Sequence, residues 1–476
     1  MGETKVIEPV TRIEGHAKIT IHLDDQGNVE DTQFHVTEFR AFEKFVEGRV
    51  LWEMPTITSR ICGICPVSHH LAAAKGCDEL VGAKLPEPAS KLRELMHMGQ
   101  ILQSHVLSFY YLSSPELIMG FDANPAERNI VGVIREEPEL AKWGVTLRSF
   151  GQRIIEALGG KRVHPDFAIP GGVNTNMDRE RGQEMLQESE PYLDYLTDTI
   201  SVLGSVYEEL GDEVRKCATF PSGYMGLVDE KGELELYDGA LRLVDENGNR
   251  LEEIDPRDYR SIIAERSQDW SYLKFPYYKK AGFEDGMYRV GPLARLNLVD
   301  GIGTELAHKE WERYRELGRD GILEGSLYYH YARLIEALYA LEHIRELLDD
   351  EDIYEGDISS PVEPTNERGV GVIEAPRGTL FHDYQSDDTG TITGANFIVA
   401  TGHNNLAMNK SVQEVAENFV EGNGGEIPEG TLNRMESAIR CYDPCLSCST
   451  HALGKMPLKL QVVSSGGEVI NEAVHG

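Results

Sequence analysis

Two Cys-x-x-Cys pairs near opposite ends of the chain constrain its fold more than any other feature of the sequence. Cys62 and Cys65 form the first pair, and Cys445 and Cys448 form the second. A two-residue gap allows both sulfur atoms of a turn to face one metal ion, and two such pairs provide four thiolates for a thiophilic metal. If both pairs bind one metal, the two ends of the chain must meet in a single core.

The separation of the pairs narrows the choice of site. Zinc ribbons usually separate their pairs by about 15–20 residues, whereas Cys65 and Cys445 lie 380 positions apart. Closing so long a loop is unfavourable unless the fold already brings its ends together. The spacing therefore favours a buried metal centre, although a structural zinc site and, for either pair alone, a redox dithiol stay open.

The composition indicates an ordered protein of a reducing compartment. Of 476 residues 41% are hydrophobic, and seven cysteines are too few for a disulfide framework. The 46 basic and 80 acidic residues argue against nucleic acid or an anionic membrane surface as a partner. The first ten residues lack the features of a secretory signal, and no run of about 18 apolar residues occurs. We expect a cytoplasmic protein without a membrane span.

Hydrophobic residues recur at helical spacing in three stretches, which we expect to form core helices. These stretches are Pro88–Leu112, Leu193–Leu210 after Pro191, and Leu327–Leu341 before the acidic run from Asp349. Turn-forming residues predict two β-hairpins, one around Asp24–Asn28 and one at Asn247-Gly248 between Ala240–Val244 and Arg250–Ile254. Since no repeat or linker marks a domain boundary, we predict one mostly helical α+β unit with long core helices and peripheral β-hairpins.

The residues around the cysteine pairs carry a family resemblance. The segment 60–65 (Arg-Ile-Cys-Gly-Ile-Cys) resembles the R-x-C-G-x-C signature of the large subunits of nickel–iron hydrogenases, and 443–451 resembles their D-P-C-x-x-C-x-x-H signature. Further blocks of that family match in the same order at 11–16, 39–43, 374–378 and 400–405. The stretches 35–39 and 65–69 are similar to the cytoplasmic, bidirectional, NAD(P)-linked subgroup. The resemblance covers essentially the whole chain.

The resemblance implies a [NiFe]-hydrogenase large-subunit fold, with residues 1–451 as a single domain, and a catalytic metal centre. Cys62, Cys65, Cys445 and Cys448 would bind nickel, and Cys65 and Cys448 would also bridge to an iron carrying one CO and two cyanides. The family cleaves H2 heterolytically and reversibly, and a nearby base takes the proton. Soft thiolates and an open coordination position are what such chemistry requires.

The resemblance also assigns roles to three residues near the metals. Glu14 matches the glutamate that relays protons beside a terminal nickel thiolate; a surface glutamate is the alternative. Arg377 would lie over the open face of the metals and donate to a cyanide, as suits a planar cation with fixed donors. Asp443 would hold Arg377 in place. A surface salt bridge and an ordinary Asp-Pro turn are the alternatives for these two.

Further positions are implied in the surroundings of the metals. Thr401 matches a hydroxyl donor to the second cyanide, with a turn residue as the alternative, and the neighbouring Ala400 would line the cofactor. We expect His69 to make hydrogen bonds near the centre rather than to ligate it. Glu43 and His451 match a pair that binds Mg2+ or a substitute ion near the C-terminus.

Other sequence features limit or modify these expectations. Many respiratory relatives carry an aspartate at the position of Ser104, just before His105, and that aspartate pairs with the active-site arginine. The acid–base network beside Arg377 is therefore expected to differ here. The other three cysteines, Cys77, Cys217 and Cys441, are expected to be structural.

The chain cannot pass electrons to NAD unaided, because it has no further cysteine cluster for iron–sulfur centres and no G-x-G-x-x-G after a strand. The resemblance implies two kinds of partner: an iron–sulfur small subunit, and flavin- and iron–sulfur-containing diaphorase subunits. NAD(P) would be the acceptor, with ferredoxin as an open addition. Two other classes stay open: a non-enzymatic relative of the same fold, which would lack the four cysteines, and a zinc-stabilised binding protein.

The last 25 residues, Ala452 to Gly476, extend past the signature histidine. Similar precursors are cut directly after this histidine, so the resemblance implies removal of 452–476 on maturation by an endopeptidase, together with nickel chaperones. The stretch from Ala452 to Val463, followed by a turn at Gly466-Gly467, predicts a small β-hairpin, with an ordinary terminal strand pair as the alternative. We expect the binuclear centre to be incomplete in an uncut chain.

Overall fold

The computed structural model describes residues 4–420, 427–450, 458–463 and 469–475, and for the last two ranges the backbone alone. The α-helices are Phe42–Val46, Met54–Thr58, Pro66–Leu80, Glu87–Leu107, Ser114–Met119, Ile130–Glu136, Pro138–Gly159, Arg179–Glu188, Glu190–Leu210, Asp212–Lys216, Gly282–Asp285, Pro292–Leu298, Glu305–Glu316, Tyr329–Asp349, Ala400–His403, Asn405–Phe419, Glu429–Cys441 and Leu446–Ser449. The strands are Thr4–Ile7, Ala17–Leu23, Val29–Val36, Ala168–Ile169, Gly172–Val173, Gly223–Val228, Ala240–Val244, Arg250–Ile254, Ile263–Gln268, Ser271–Tyr278, Tyr288–Arg289, Arg368–Ala375, Gly378–Ser386, Ile392–Ile398, Leu458–Val463 and Val469–His475.

Long helices form the centre of the molecule, as their apolar spacing predicts. The Glu87–Leu107 helix packs against both Pro138–Gly159 and Tyr329–Asp349. The first of these contacts is so close that it requires glycine: a Cβ atom on Gly151 would lie only 2.6 Å from the carbonyl oxygen of Gly99. Three predicted helices are thus confirmed, whereas Pro138–Gly159 was not predicted.

The first predicted helix ends earlier than expected. Its α-helical part stops at Leu107, and the chain continues as a π-helical turn over Ser108–Ser113. Such wide turns are rare and are frequent at functional sites. The turn begins four residues after Ser104, beside the residues assigned to the metal centre.

Small sheets surround the helices. The predicted hairpins are confirmed, one pairing Ala17–Leu23 with Val29–Val36 and the other Ala240–Val244 with Arg250–Ile254. A further antiparallel sheet orders Arg368–Ala375, Gly378–Ser386 and Ile392–Ile398. The Pro66–Leu80 helix packs directly on it, so the helix that follows the first cysteine pair is fixed against the sheet.

One large hydrophobic core extends from Ile7 to Cys448 and includes both cysteine pairs, and a second, smaller core lies under the Gly223–Val228 sheet. The two ends of the chain therefore meet inside, as the cysteine spacing predicts. In the C-terminal extension, Leu458–Val463 and Val469–His475 pair as antiparallel strands, while the predicted turn at Gly466-Gly467 lies outside the described residues. Among the helices of the described ranges, none has the length and apolar character to cross a bilayer.

Candidate metal centre

The four cysteines of the two pairs form one buried cluster. Their Sγ atoms all lie within 4.8 Å of one another. Cys62 Sγ is 3.3 Å from Cys445 Sγ, Cys65 Sγ is 3.6 Å from Cys448 Sγ, and Cys445 Sγ is 2.8 Å from Cys448 Sγ. All four are free thiols, since a disulfide requires about 2.05 Å. The site joins residues 383 positions apart, one from each pair.

Local structure aims the first pair at this point. Cys65 is the N-cap of the Pro66–Leu80 helix. The backbone N–H groups of Ile64 and Cys65 donate to Cys62 Sγ, at 3.2 and 3.4 Å. Donors at a helix start favour a thiolate. Gln100 and Gln103, on the neighbouring helix, each donate to the Ile64 carbonyl at 3.1 Å and hold the loop from below.

The N-terminal segment holds the second pair. Glu14 forms an isolated parallel β-bridge with Cys445, and the Leu446 N–H donates to the Glu14 carbonyl at 3.1 Å. Gly15 makes this approach feasible, because its φ is +90° and a Cβ there would lie 2.7 Å from Leu446 Cβ. The Cys445 N–H also donates to Thr401 Oγ1 at 3.0 Å.

The chemistry of the cluster fits a thiophilic metal centre. Burial raises the pKa of Cys445 and Cys448, while hydrogen bonds from the other three cysteines lower that of Cys62. The four thiols therefore cannot all ionise in this space on their own, because like charges in a buried site repel. Metal cations would neutralise four thiolates and are the natural occupants of such a donor set.

Arg377 lies close to the cluster. It occupies the tip of a tight hairpin, where Ala375 pairs with Gly378. Its side chain is 4% exposed and forms an ion pair with Asp443, Nη2 to Oδ2 at 2.9 Å, while Nε donates to the Asp443 carbonyl. Burial opposes its charge, but Asp443 and the cysteines keep its pKa well above the ordinary value. The guanidinium therefore stays cationic beside the thiols.

Ser104, where the sequence predicts a change in the acid–base network beside Arg377, contacts Arg377. Its Oγ accepts from Arg377 Nη1 at 3.4 Å. A neutral hydroxyl at this distance is a weak partner compared with a carboxylate. In the described structure, Asp443 is the acidic partner of Arg377.

A line of polar groups leads from Glu14 to the surface. The Ser447 N–H donates to Glu14 Oε2 at 3.0 Å, and the Ser447 hydroxyl donates to Glu38 Oε2 at 2.8 Å. The other oxygen of Glu38 pairs with His16 Nδ1. The side chain of His16 is 77% exposed. Two carboxylates and an imidazole thus connect the second cysteine pair to solvent.

Three further predicted site residues are buried. Ala400 and Thr401 are buried in the Ala400–His403 helix. His69 is buried in the first turns of the Pro66–Leu80 helix, with Nδ1 3.0 Å from His382 Nε2, and it is not among the four clustered ligands.

The predicted magnesium pair is described only in part. Glu43 accepts the Phe397 N–H at 2.8 Å. His451 lies outside the described residues. The predicted Glu43 and His451 pair therefore stays a prediction.

Sequence reasoning missed the residues that hold the centre from outside. Gln100 and Gln103 fall on a helix that was expected, but polar residues within an apolar stripe give no sign of what they bind. Arg295, fully buried and bonded to the residues just before Arg377, gave no signal at all. A lone arginine in a sequence is ordinarily a surface residue.

Comparison with known proteins agrees with this centre. A family model described as nickel-dependent hydrogenase matches residues 40–129 and 228–451, and a model described as HoxL-like matches residues 5–39. These segments contain all four clustered cysteines, Glu14, Arg377 and Asp443. The nickel-dependent match ends at residue 451.

Relatives that match over nearly the whole chain are also hydrogenase subunits. The chain is 43% identical to the NAD-reducing hydrogenase HoxS subunit beta of Cupriavidus necator, over 99% of both chains. It is also 43% identical to one subunit of the F420-non-reducing hydrogenase of Methanothermobacter thermautotrophicus, over 98% of both chains.

Solved structures confirm the predicted large-subunit fold. A crystal structure of an NAD+-reducing [NiFe]-hydrogenase in the H2-reduced state superimposes with a TM-score of 0.91 and 44% identity, covering 94% of this chain and 99% of that one. The Ni-Fe-Se hydrogenase of Desulfovibrio vulgaris Hildenborough shares the fold, with a TM-score of 0.75 and 24% identity over 95% of this chain and 100% of that chain. The chain belongs to the nickel-dependent hydrogenases and is the large, catalytic subunit of a [NiFe]-hydrogenase, an oxidoreductase.

Proposed function

We propose that this chain cleaves and re-forms H2 at a nickel–iron centre held by Cys62, Cys65, Cys445 and Cys448. The observation that carries the proposal is the buried cluster of four free thiols beside the Arg377–Asp443 ion pair. All four thiolates would hold nickel, and Cys65 and Cys448 would also hold iron. When bound, the centre would supply soft metal ions with an open coordination position for heterolytic cleavage.

Glu14 would take the proton in this reaction. Its carboxylate is fixed by the Ser447 N–H, one residue before Cys448. Ser447 also holds Glu38 through its hydroxyl, so two carboxylates flank one residue. The Ser447 amide holds Glu14 in place and does not itself carry protons. We infer that a proton released by the Glu14 carboxyl group passes to Glu38 and leaves through His16, which is exposed and paired with Glu38.

Arg377 and Thr401 would orient the diatomic ligands of iron, one CO and two cyanides. The guanidinium has five donors in a fixed plane, and two of its nitrogens are engaged by Asp443. The Thr401 oxygen accepts from Cys445, which leaves the hydroxyl hydrogen to donate to a cyanide. Ala400 and His69 would complete the wall of the site, and Glu43 with His451 would bind Mg2+ or a similar ion.

Partner subunits would carry the electrons away. The Cupriavidus necator relative is by name one subunit of an NAD-reducing hydrogenase. We propose that this chain works with an iron–sulfur small subunit, together with a flavin- and iron–sulfur-containing diaphorase. NAD(P) would accept the electrons, and ferredoxin would be an additional acceptor in a bifurcating complex. A cytoplasmic location accords with these partners.

Residues 1–451 would be the mature single domain, and 452–476 a segment removed by an endopeptidase after nickel chaperones have loaded the metal. The nickel-dependent family match ends at residue 451. The match to the solved NAD+-reducing chain includes 99% of that chain but 94% of this one. The match to the Cupriavidus necator subunit, in contrast, includes 99% of both chains. Removal of a terminal segment from the solved chain would produce this difference. Intact-mass measurement tests the cleavage: active enzyme should end at His451, and a nickel-loaded, fully active chain retaining Gly476 would refute it.

One experiment tests the proposed activity. The native complex is purified, and H2-dependent reduction of NAD, NADP and ferredoxin is measured separately and together. We expect reduction of NAD or NADP by H2. A complex that carries nickel and iron but reduces none of the three acceptors with H2 would contradict the proposed function.

A further inference from the structure

We propose that Arg295, outside the cysteine cluster, is a positioning residue that sets the place of Arg377 by holding the backbone of its turn. The proposal rests on the function proposed above, because it takes Arg377 to act beside the metal centre. Arg377 stands at a hairpin tip directly after Ala375 and Pro376. Whatever holds those two residues therefore determines where the guanidinium begins.

Arg295 binds both of these residues through their carbonyl groups. It lies on the Pro292–Leu298 helix and is fully buried. Nη1 donates to the Ala375 carbonyl at 3.0 Å and Nη2 to the Pro376 carbonyl at 3.3 Å. A planar guanidinium can hold two consecutive carbonyls in one geometry, which a lysine ammonium cannot reproduce.

Two buried carboxylates fix Arg295 in turn. Nε and Nη2 donate to the two oxygens of Glu336, at 2.6 and 2.5 Å, and Nη1 donates to Glu374 at 2.7 Å. The side chains of all three residues are 0% exposed. Paired charges in such a site keep one geometry, because a displaced partner would leave an uncompensated charge in the interior.

A second connection reaches Arg377 from the Glu87–Leu107 helix. His105 Nε2 lies 2.8 Å from Glu336 Oε2, and the preceding residue, Ser104, contacts Arg377. Burial lowers the pKa of His105 to about 4, so the neutral ring donates to Glu336 near neutral pH. Two routes thus connect Glu336 with Arg377, one through Arg295 and one through His105 and Ser104.

The two directions differ in strength. Ser104 offers Arg377 only a neutral hydroxyl oxygen, at 3.4 Å. The Arg295 route consists of charge-assisted bonds of 2.5–2.7 Å and two backbone contacts. Beside the direct ion pair with Asp443, the turn held by Arg295 therefore constrains Arg377 more firmly than the contact with Ser104 does.

The test compares Arg295→Lys, Arg377→Lys and the double variant in the purified native complex. The measurements are nickel and iron content, H2 turnover, and the infrared stretching bands of the cyanide ligands. We expect Arg295→Lys to keep both metals, to lose turnover by about tenfold or more, and to shift the cyanide bands in the same direction as Arg377→Lys. The double variant should be no slower than Arg377→Lys alone, because residues that act through one another are not additive.

Arg93→Lys is the matched control, since Arg93 is equally buried, pairs with Asp78 and donates to the Ile169 and Gly172 carbonyls, but lies outside this network. It should show wild-type cyanide bands. If Arg295→Lys does not fold, Glu336→Gln, which keeps the side-chain volume, takes its place and should shift the cyanide bands in the same direction as Arg377→Lys.

Three results would overturn the proposal. The cyanide bands could be unchanged in Arg295→Lys, or in Glu336→Gln if Arg295→Lys does not fold. The turnover losses could multiply in the double variant, or Arg93→Lys could shift the bands as much as Arg295→Lys does. Loss of metal from both Arg295→Lys and Glu336→Gln would do the same, because it would show a role in folding alone. A wild-type complex without nickel or H2 activity would instead count against the proposed function.

Discussion

The Oδ2 atom of Asp443 lies 2.9 Å from Nη2 of Arg377, and this buried ion pair joins a hairpin tip to the loop that begins the second cysteine pair. Asp443 adopts a positive φ of 50° although it is not a glycine, a strained conformation that occurs preferentially at functional sites. Burial raises the pKa of Asp443, while Arg377 and Arg333 oppose that rise. The pair thus fixes a cation close to the cysteine cluster.

Arg377→Lys should retain the cluster and lose most turnover. A lysine keeps the charge but cannot donate to the Asp443 carbonyl and carboxylate and to a cyanide in one plane. H2 turnover and metal content of the purified complex provide the measurement. Near-normal turnover would count against the role of Arg377.

Replacement of Cys65 or Cys448 with serine should abolish H2 activity and disrupt metal binding, because each thiolate would help to hold both metals. The matched control is Cys77→Ser, since Cys77 is also a buried free thiol but donates to the Leu51 carbonyl away from the cluster. The control should keep nickel and iron. Wild-type activity in either ligand variant would reject the assignment.

Glu14→Gln should leave the metals in place and slow H2/D2O exchange by about a hundredfold or more, the usual contribution of a positioned proton-transfer group. Glutamine keeps the shape but cannot carry a proton. Glu38→Gln should slow exchange less, because water offers an alternative acceptor nearer the surface. Glu8→Gln, at an exposed position of the same segment, should have no effect. Undiminished exchange in Glu14→Gln would remove Glu14 from the route.

Acid should destabilise the fold through His70, which is fully buried. Its Nδ1 donates to the Pro55 carbonyl, its Nε2 accepts the Ala168 N–H, and burial lowers its pKa from 6.5 to about 4. The unfolded chain therefore binds more protons between these values, so the contribution of His70 is present above pH 6.5 and is lost as pH falls toward 4, by about 3 kcal/mol.

Chemical unfolding of the chain against pH measures this effect. His70→Gln should be less stable than the wild type near neutral pH, and its stability should fall less steeply between pH 6.5 and 4. An unchanged slope in that window would show that His70 does not titrate with folding.

The sequence predicts the parts of this structure that follow from periodicity and spacing. Apolar repeats placed the Glu190–Leu210 and Tyr329–Asp349 helices, and Asn247-Gly248 placed a hairpin, because these signals are local. The two cysteine pairs indicated a meeting of distant segments. The Arg368–Ala375 and Gly378–Ser386 strands were missed because they are almost wholly buried yet mix glycine and polar residues with apolar ones. Neither therefore shows a run of apolar residues or an alternation of buried apolar and exposed polar positions.

Local sequence patterns do not predict which residues surround the metal centre. Gln100 and Gln103 bind a backbone carbonyl that only the fold brings near. Glu336 and Glu374 resemble surface carboxylates in the sequence, yet both are fully buried against Arg295. Family motifs predicted roles for Glu14, Arg377 and Asp443, but the residues that contact these three are determined by tertiary packing.

Metal analysis of the purified native complex determines whether the four clustered cysteines hold a nickel–iron centre. We predict about one nickel and about one iron at this thiolate site in each large subunit, both lost in Cys65→Ser and retained in Cys77→Ser, after correction for the iron of partner subunits. Stoichiometric zinc without nickel in the wild-type chain would contradict the account.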